Sequence, residues 1–483
     1  MMPATPGRRI ALKFALAAAL LALVAAARLP FIGNVLAGEE GYFAALVLNG
    51  VPTSALDDRH LPREIAGFID GKPILQTFHR TVMPYIIMET FGRAVAARDA
   101  LGRLSSARLT IAARWPFAFM FLLGSLGLIA LTVEAAAVAG THRSAAGALA
   151  AIGVTAWSLT SPLAVSASIQ PQVDGSVGVM LLGTAAILLA LGDIKQSAAC
   201  WRFLMAGLLA GLGKHEWALA FAAAAVGALI ICLFDVSGRR RRGAAFAVFL
   251  VGLALAAALS YAVSPSDYRA GFAVMTNIFE RTGGELWALQ PAQWPFTVPV
   301  VTLALIDGVF IVVVSRQLIR TAPGLLLAYL AAIAIGIGYA VSGWHGDNFP
   351  RYFAPPFVML ALVFVALWLR FGDLLSPRAG WVAVALVVIG LAANYHFLAA
   401  SHDNQVALGD LRGEPLLKIE QDYAAAAKLA RDTDGVVFTV TTTWIYHQGI
   451  NFISTGLGKD GAAEYIAAHF PAFKNRLVFP PQD

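Results

Sequence analysis

Phe203-Leu204-Met205-Ala206-Gly207-Leu208-Leu209-Ala210-Gly211-Leu212-Gly213-Lys214-His215-Glu216-Trp217-Ala218-Leu219-Ala220-Phe221 is the stretch on which the fold turns. Two apolar runs, Phe203 to Leu212 and Trp217 to Phe234, meet at a short turn that carries a lysine, a histidine and a glutamate. Ionisable groups in a tight turn near membrane depth are costly and usually functional. A capped turn at the membrane surface is the plainer alternative. The functional reading is preferred, and it requires a membrane around the turn.

The rest of the chain supplies that membrane setting. Of 483 residues, 58% are hydrophobic and only 13% charged, and mean hydropathy is +0.70. A soluble domain is about a quarter charged. An ordinary soluble enzyme, a disordered chain and a coiled coil are thereby excluded. Outward from the turn, apolar runs cover Gly175 to Leu191, Ser144 to Val165, Leu109 to Val133 and Ile10 to Leu29 on one side. On the other they cover Ala244 to Val263, Thr297 to Ser315, Pro323 to Ser342, Ala354 to Leu369 and Gly380 to Leu398. Judged against about 20 residues per crossing, they give about eleven spans. The first reads as an uncleaved anchor behind Arg8 and Arg9, with a cleaved signal peptide as the alternative.

Net charge is +6, from 35 Lys+Arg against 29 Asp+Glu. Much of the excess sits in short loops between apolar runs. It therefore reads as topology and not as a nucleic-acid surface. Arg143, Lys195, Arg202, Arg239 to Arg242, Arg316, Arg320, Arg370 and Arg378 all fall on the N-terminal side, which the positive-inside rule makes cytoplasmic. The opposite face then carries the longer loops and the tail from Ala399. Cys200 and Cys232 sit at or near cytoplasmic ends, so no disulfide framework is expected.

Candidate chemistry gathers on that opposite face. Glu39-Glu40, just after the first span, can supply a general base with an orienting partner, or simply start a helix. Gly71-Lys72-Pro73 reads as a cation beside a helix start, which suits an anion such as phosphate, or as a solvated loop lysine. Asp174, immediately before a span, is a helix cap or an active-site acid. Arg351-Tyr352 in the loop from Trp344 can bind phosphate, or belong to an interfacial belt. Arg269 lies in the large loop from Ser264 to Phe296. Asp307, inside a span, suggests no role. No zinc spacing, Walker loop, G-x-S-x-G or C-x-x-C is present.

The order of these features resembles the GT-C glycosyltransferases of the protein O-mannosyltransferase and lipid A aminoarabinose transferase type. Glu39-Glu40-Gly41-Tyr42-Phe43-Ala44 takes the place of that family's acidic pair and amphipathic helix. Lys72-Pro73 through Phe91-Gly92 resembles its Lys-Pro step and aromatic-rich helix. Gly207 to Lys214 resembles its Gly-Leu stretch ending in lysine, and Arg351-Tyr352 with Pro355-Pro356 its later outer loop. The chain departs at Glu39, where the family usually has Asp, and at Gly71, where aminoarabinose transferases tend to have an acid that helps bind metal. His215 also replaces the usual glycine after the lysine.

The resemblance implies an inverting transfer of sugar from a polyprenyl-phosphate donor to lipid A, another envelope glycolipid or a protein. The site would face the periplasm of a bacterial-type inner membrane. Glu39, Glu40 and Asp174 are then the catalytic candidates. Lys72, Lys214, Arg351, Tyr352 and Arg269 are the donor-phosphate candidates. No cofactor is assigned, and a divalent metal is left open. A transporter or flippase of lipid-linked sugars is the rival reading. The expected fold is mainly α: a polytopic transmembrane bundle over 1–398, with surface amphipathic helices in the outer loop 30–108. A small extracytoplasmic α/β domain is expected over 399–483.

Overall fold

The structure, a computed structural model, describes residues 6–29, 65–70, 72–76, 106–138, 145–169, 173–192, 199–235, 238–263, 265, 268–269, 294–341, 350–374, 377–401, 425, 428–438, 450–455 and 458–479. Every predicted apolar run is helical. The helices are α1 (Pro6–Ala26), α2 (Ser106–Val138), α3 (Ala145–Thr160), α4 (Pro162–Ile169), α5 (Gly178–Leu191) and α6 (Ala199–Gly211). They continue with α7 (His215–Leu233), α8 (Arg239–Val263), α9 (Trp294–Thr321), α10 (Pro323–Val341), α11 (Pro350–Phe371) and α12 (Pro377–Ser401). Seven are long and apolar enough to cross a membrane, eight if the bent pair α3–α4 is one span. Three further apolar helices, Ile10–Ala26, Gly175–Ala190 and Ala199–Gly211, are shorter.

Helix α11 lies at the centre, with every residue from Phe353 to Trp368 buried. Helix α9 instead turns Leu305 (66% exposed) and Val312 (72% exposed) outward, an apolar face suited to hydrocarbon. Helices α6 and α8 touch backbone to backbone. A Cβ on Gly207 would lie 2.1 Å from the Phe249 carbonyl oxygen, and one on Gly252 2.2 Å from that of Leu204. Small residues permit this approach where helices associate without a hydrophobic driving force.

The third apolar run is broken. Pro162 lacks the N–H that would continue α3, and the chain bends 50° into α4. Ser161 Oγ accepts from Ala164 N–H (3.2 Å) and so opens the new helix. Ser158 O, which loses its helical donor at Pro162, accepts from Ser161 Oγ (3.1 Å), and Arg28, just past α1, spans the break. Its guanidinium donates to Leu159 O (3.1 Å), Ala164 O (3.2 Å), Val24 O (2.7 Å) and Ser168 Oγ (2.6 Å). It also lies 4.4 Å from the centroid of the Phe121 ring.

The bundle's two ends sort the segments as the charge pattern does. Asp235, after α7, pairs with Arg320 of α9 (2.8 Å) and with Arg242 of α8 (3.7 Å). Arg242, one of the four arginines read as a topology anchor, is also 1% exposed and donates to Cys232 O (3.1 Å), closing the end of α7. At the opposite end meet the α6–α7 turn, the end of α8, the end of α10 and the start of α11.

A five-stranded sheet lies outside the bundle sequence. Its order is β2 (Lys72–Gln76), β1 (Ile65–Ile69), β4 (Phe452–Thr455), β3 (Val436–Phe438), β5 (Leu477–Val478). The pairs β1–β2 and β1–β4 are antiparallel, and β3–β4 and β3–β5 parallel. Helix α13 (Gly458–His469) covers it, with Ile69, Val436, Ile453, Ala462, Tyr465 and Ile466 forming the core. The expected tail strand and last helix are thus present. The tail does not make the sheet alone, because β1 and β2 come from the first outer loop.

The Lys72-Pro73 step is therefore a strand start and not the expected helix start. Ile69 pairs with Lys72, so the chain reverses between them. A tight hairpin turn needs a positive φ, and Asp70 has φ 52°. Its N–H donates to Asn451 Oδ1 (3.0 Å), tying the outer loop to the tail. Pro73 is accommodated because, among the described residues, β2 is an edge strand. The amphipathic pieces expected over 42–48 and 83–97 lie outside the described residues. Of the helix expected over 419–430, residues 425 and 428–430 are described and helical.

Candidate functional site

Helix α6 ends at Gly211 and α7 begins at His215, so Leu212-Gly213-Lys214 forms the turn. Lys214 occupies the N-cap position of α7 in extended conformation (φ −141°, ψ 152°). It is 5% exposed and His215 6%. A helix N-terminus repels cations, so a buried lysine there needs negative partners. Two aromatic faces contribute. Lys214 Nζ stands 5.1 Å from the centroid of the Tyr352 ring and 6.0 Å from that of Tyr339. The two tyrosine rings lie 4.8 Å apart at 31°. Tyr339 is fixed from behind, because the fully buried Trp217 donates its indole N–H to the Tyr339 hydroxyl (2.8 Å).

A second wall stands beside the turn. The His215 ring meets Tyr268 edge-on at 4.6 Å, and Tyr268 meets Tyr261 edge-on at 6.0 Å. Arg269 donates to the Tyr261 hydroxyl (2.7 Å) with its guanidinium 5.5 Å from that ring. Arg269 is exposed, and a phenol anchors it to the last turn of α8. A buried cation, an exposed cation and several phenols thus share one end of the bundle. Lysine and arginine with hydroxyl donors suit an anion such as a phosphate.

The predicted residues fare differently. Lys214 and Tyr352 come together. Arg269 joins them through the histidine and tyrosine rings. For Lys72, Asp174 and Arg351 the described structure is that of the backbone. Arg351 precedes Tyr352 in the first turn of α11. Asp174 sits in a single π-helical turn, Val173–Val177, bound to α4 by Ser176 Oγ donating to Ala167 O (2.9 Å). Such π turns often occur at functional sites. That turn leads into α5, whose Gly178 is so close to Trp217 and Pro355 that an added Cβ would lie 2.8 Å from each. The Asp174 turn therefore borders the cluster. Lys72 lies in the sheet, for which no contact with the cluster is described. Glu39 and Glu40 lie outside the described residues.

Sequence reasoning missed Tyr339 and Tyr261, ordinary tyrosines at the ends of apolar runs, and Tyr268 in the large loop. It quoted Trp217 without giving it a role. Asp307 is fully buried in α9, and among the described residues neither carboxylate oxygen has a hydrogen-bond partner. No three His, Cys, Asp or Glu side chains among the described residues come together to hold a metal.

No protein-family model and no curated protein matches the chain. Two solved structures are similar to it. ArnT from Cupriavidus metallidurans in the apo state aligns over 97% of this chain and 89% of its own, with TM-score 0.54 and 15% identity. The Archaeoglobus fulgidus oligosaccharyltransferase complex with Zn and sulfate aligns over 88% of this chain and 60% of its own, with TM-score 0.43 and 14% identity. Nearly the whole chain follows the path of ArnT, and the two share a fold.

Proposed function

We propose that the chain is an inverting glycosyltransferase. It moves a sugar from a polyprenyl-phosphate donor to an extracytoplasmic acceptor: lipid A, another envelope glycolipid or a protein. The observation that carries this reading is Lys214, buried at a helix N-terminus between two tyrosine rings, at one end of a GT-C bundle. The lipid tail lies in the bilayer and its phosphate at the outer rim, where this end of the bundle opens to the periplasm of the inner membrane.

The reaction breaks the bond between the anomeric carbon and the donor phosphate oxygen. It forms a bond from that carbon to the acceptor oxygen on the opposite face, and polyprenyl phosphate leaves. Charge develops on the departing phosphate, so fixed cations and donors aimed at it lower the barrier. Lys214, Tyr352, Arg351 and Arg269 take that role, and Lys72 is a further candidate for it. A hydroxyl acceptor gives its proton to Glu39, oriented by Glu40 or Asp174. A phosphate acceptor is largely ionised at neutral pH and needs less help from a base.

The bent span α3–α4 is a feature that transporters share. Here two backbone carbonyls flanking the bend, Leu159 O and Ala164 O, accept from Arg28.

The decisive experiment supplies purified protein in nanodiscs with polyprenyl-phosphate sugar and extracted envelope lipids. Sugar transfer with inversion at the anomeric carbon is expected. Movement of the donor across the bilayer without transfer would overturn the reading. In the same assay Glu39→Gln and Asp174→Asn are each expected to lower turnover about a hundredfold. Both variants should elute as folded protein. Full activity in both would remove the carboxylates from the chemistry.

A further inference from the structure

We infer that Trp217 is a positioning residue that sets the geometry of the phosphate site without touching the substrate. The inference rests on the proposed function and names a residue that controls it. The indole stands where the segments carrying the candidate site residues converge. On the turn side, a Cβ added to Gly213, next to Lys214, would lie 2.2 Å from an indole carbon. On the α5 side, Gly178 follows the Asp174 turn, and its added Cβ would lie 2.8 Å from the indole. The same position would lie 2.8 Å from Pro355 of α11, one turn after Arg351-Tyr352. From α10, Tyr339 accepts the indole N–H at 2.8 Å.

Packing alone would be served by any large apolar ring. The indole adds a buried N–H, which must find an acceptor, and the acceptor is the phenol beside Lys214. That bond has a directional consequence. Once the Tyr339 oxygen accepts from Trp217, its own proton is turned away from the indole. The Tyr339 ring is also held in register with Tyr352, the other aromatic face presented to Lys214. Gly213 and Gly178 leave the space that the indole fills.

The test is a double-mutant cycle in nanodiscs with Trp217→Phe, Tyr339→Phe and the pair. Donor KM, kcat and binding of undecaprenyl phosphate are the readouts. Each single variant is expected to weaken donor use about tenfold, chiefly in KM, as for the loss of one buried hydrogen bond. The pair should be no worse than either single. Losses that multiply, or wild-type kinetics for Trp217→Phe, would overturn the inference, because a space-filling indole acts independently of the Tyr339 hydroxyl. If Trp217→Phe fails to fold, benzothienylalanine at position 217 keeps the shape and replaces N–H by sulfur. The same tenfold effect is then expected, and no effect overturns the inference. Lys214→Met in parallel separates the two ideas. Unchanged donor use there defeats the functional reading itself. A Lys214 loss with an inert Trp217 series defeats only the positioning role.

Discussion

Lys214→Met is expected to lower kcat/KM for the lipid donor about a thousandfold. Lys214 is buried at the N-terminus of α7, beside the Tyr339 and Tyr352 rings. Methionine matches the stem and still packs against both rings, but it removes the charge. With a phosphate in place, the ammonium, the first-turn N–H groups of α7 and the phenols face one anion. Thermal unfolding in detergent reads ligand binding directly. Undecaprenyl phosphate should raise the Tm of the parent protein and not of the variant, since only a bound ligand shifts the unfolding equilibrium. A lysine kept for structure would show the opposite pattern, a lower Tm with donor use intact.

How far the sequence reveals this arrangement depends on the range of the forces involved. The helices were legible because an apolar run of span length has few alternatives in a membrane. All the expected runs are helical. Lys214 was legible because an ammonium inside an apolar stretch is expensive enough to demand a reason. Its surroundings were not. Tyr339 and Tyr352 reach the lysine from two other helices, with Trp217 holding Tyr339, and nothing local in sequence fixes that meeting. The Lys72 strand is a different kind of miss. Asp70-Gly71 between Ile65-Ala66-Gly67-Phe68-Ile69 and Ile74-Leu75 is a hairpin signal, and reading Pro73 as a helix opener hid it. That β1 then joins β4 of the tail is a long-range pairing that only the three-dimensional structure displays. Arg242 was hidden among identical neighbours. In Arg239 to Arg242 all four residues look like one topology signal, yet one side chain turns inward to close α7.

Arg28 was the least legible of all, and its replacement carries the largest expected cost in stability. Arg28 falls near the end of the first apolar run, Ile10 to Leu29, and nothing in the surrounding sequence assigns it a role. In the fold it is 5% exposed and spans the break between α3 and α4. Leu159 O precedes the break, and Ala164 O and Ser168 Oγ follow it. A planar guanidinium reaches both sides at once and still lies on the Phe121 ring. An ammonium is a compact point charge and offers neither the fork nor the stacking. Arg28→Met takes these donors away from the bend in a water-poor interior. Loss of about 1–3 kcal/mol is expected, as for buried polar groups that lose a hydrogen-bond partner. Arg28→Lys should recover less than half of it. Thermal unfolding of both variants in the same detergent measures this directly, and a parent-like Tm for Arg28→Met would show that the bend holds itself. Activity should follow stability with one addition. Because α4 carries the Ala167 carbonyl that binds the Asp174 turn, folded Arg28→Lys should turn over more slowly than the parent even where both are fully folded.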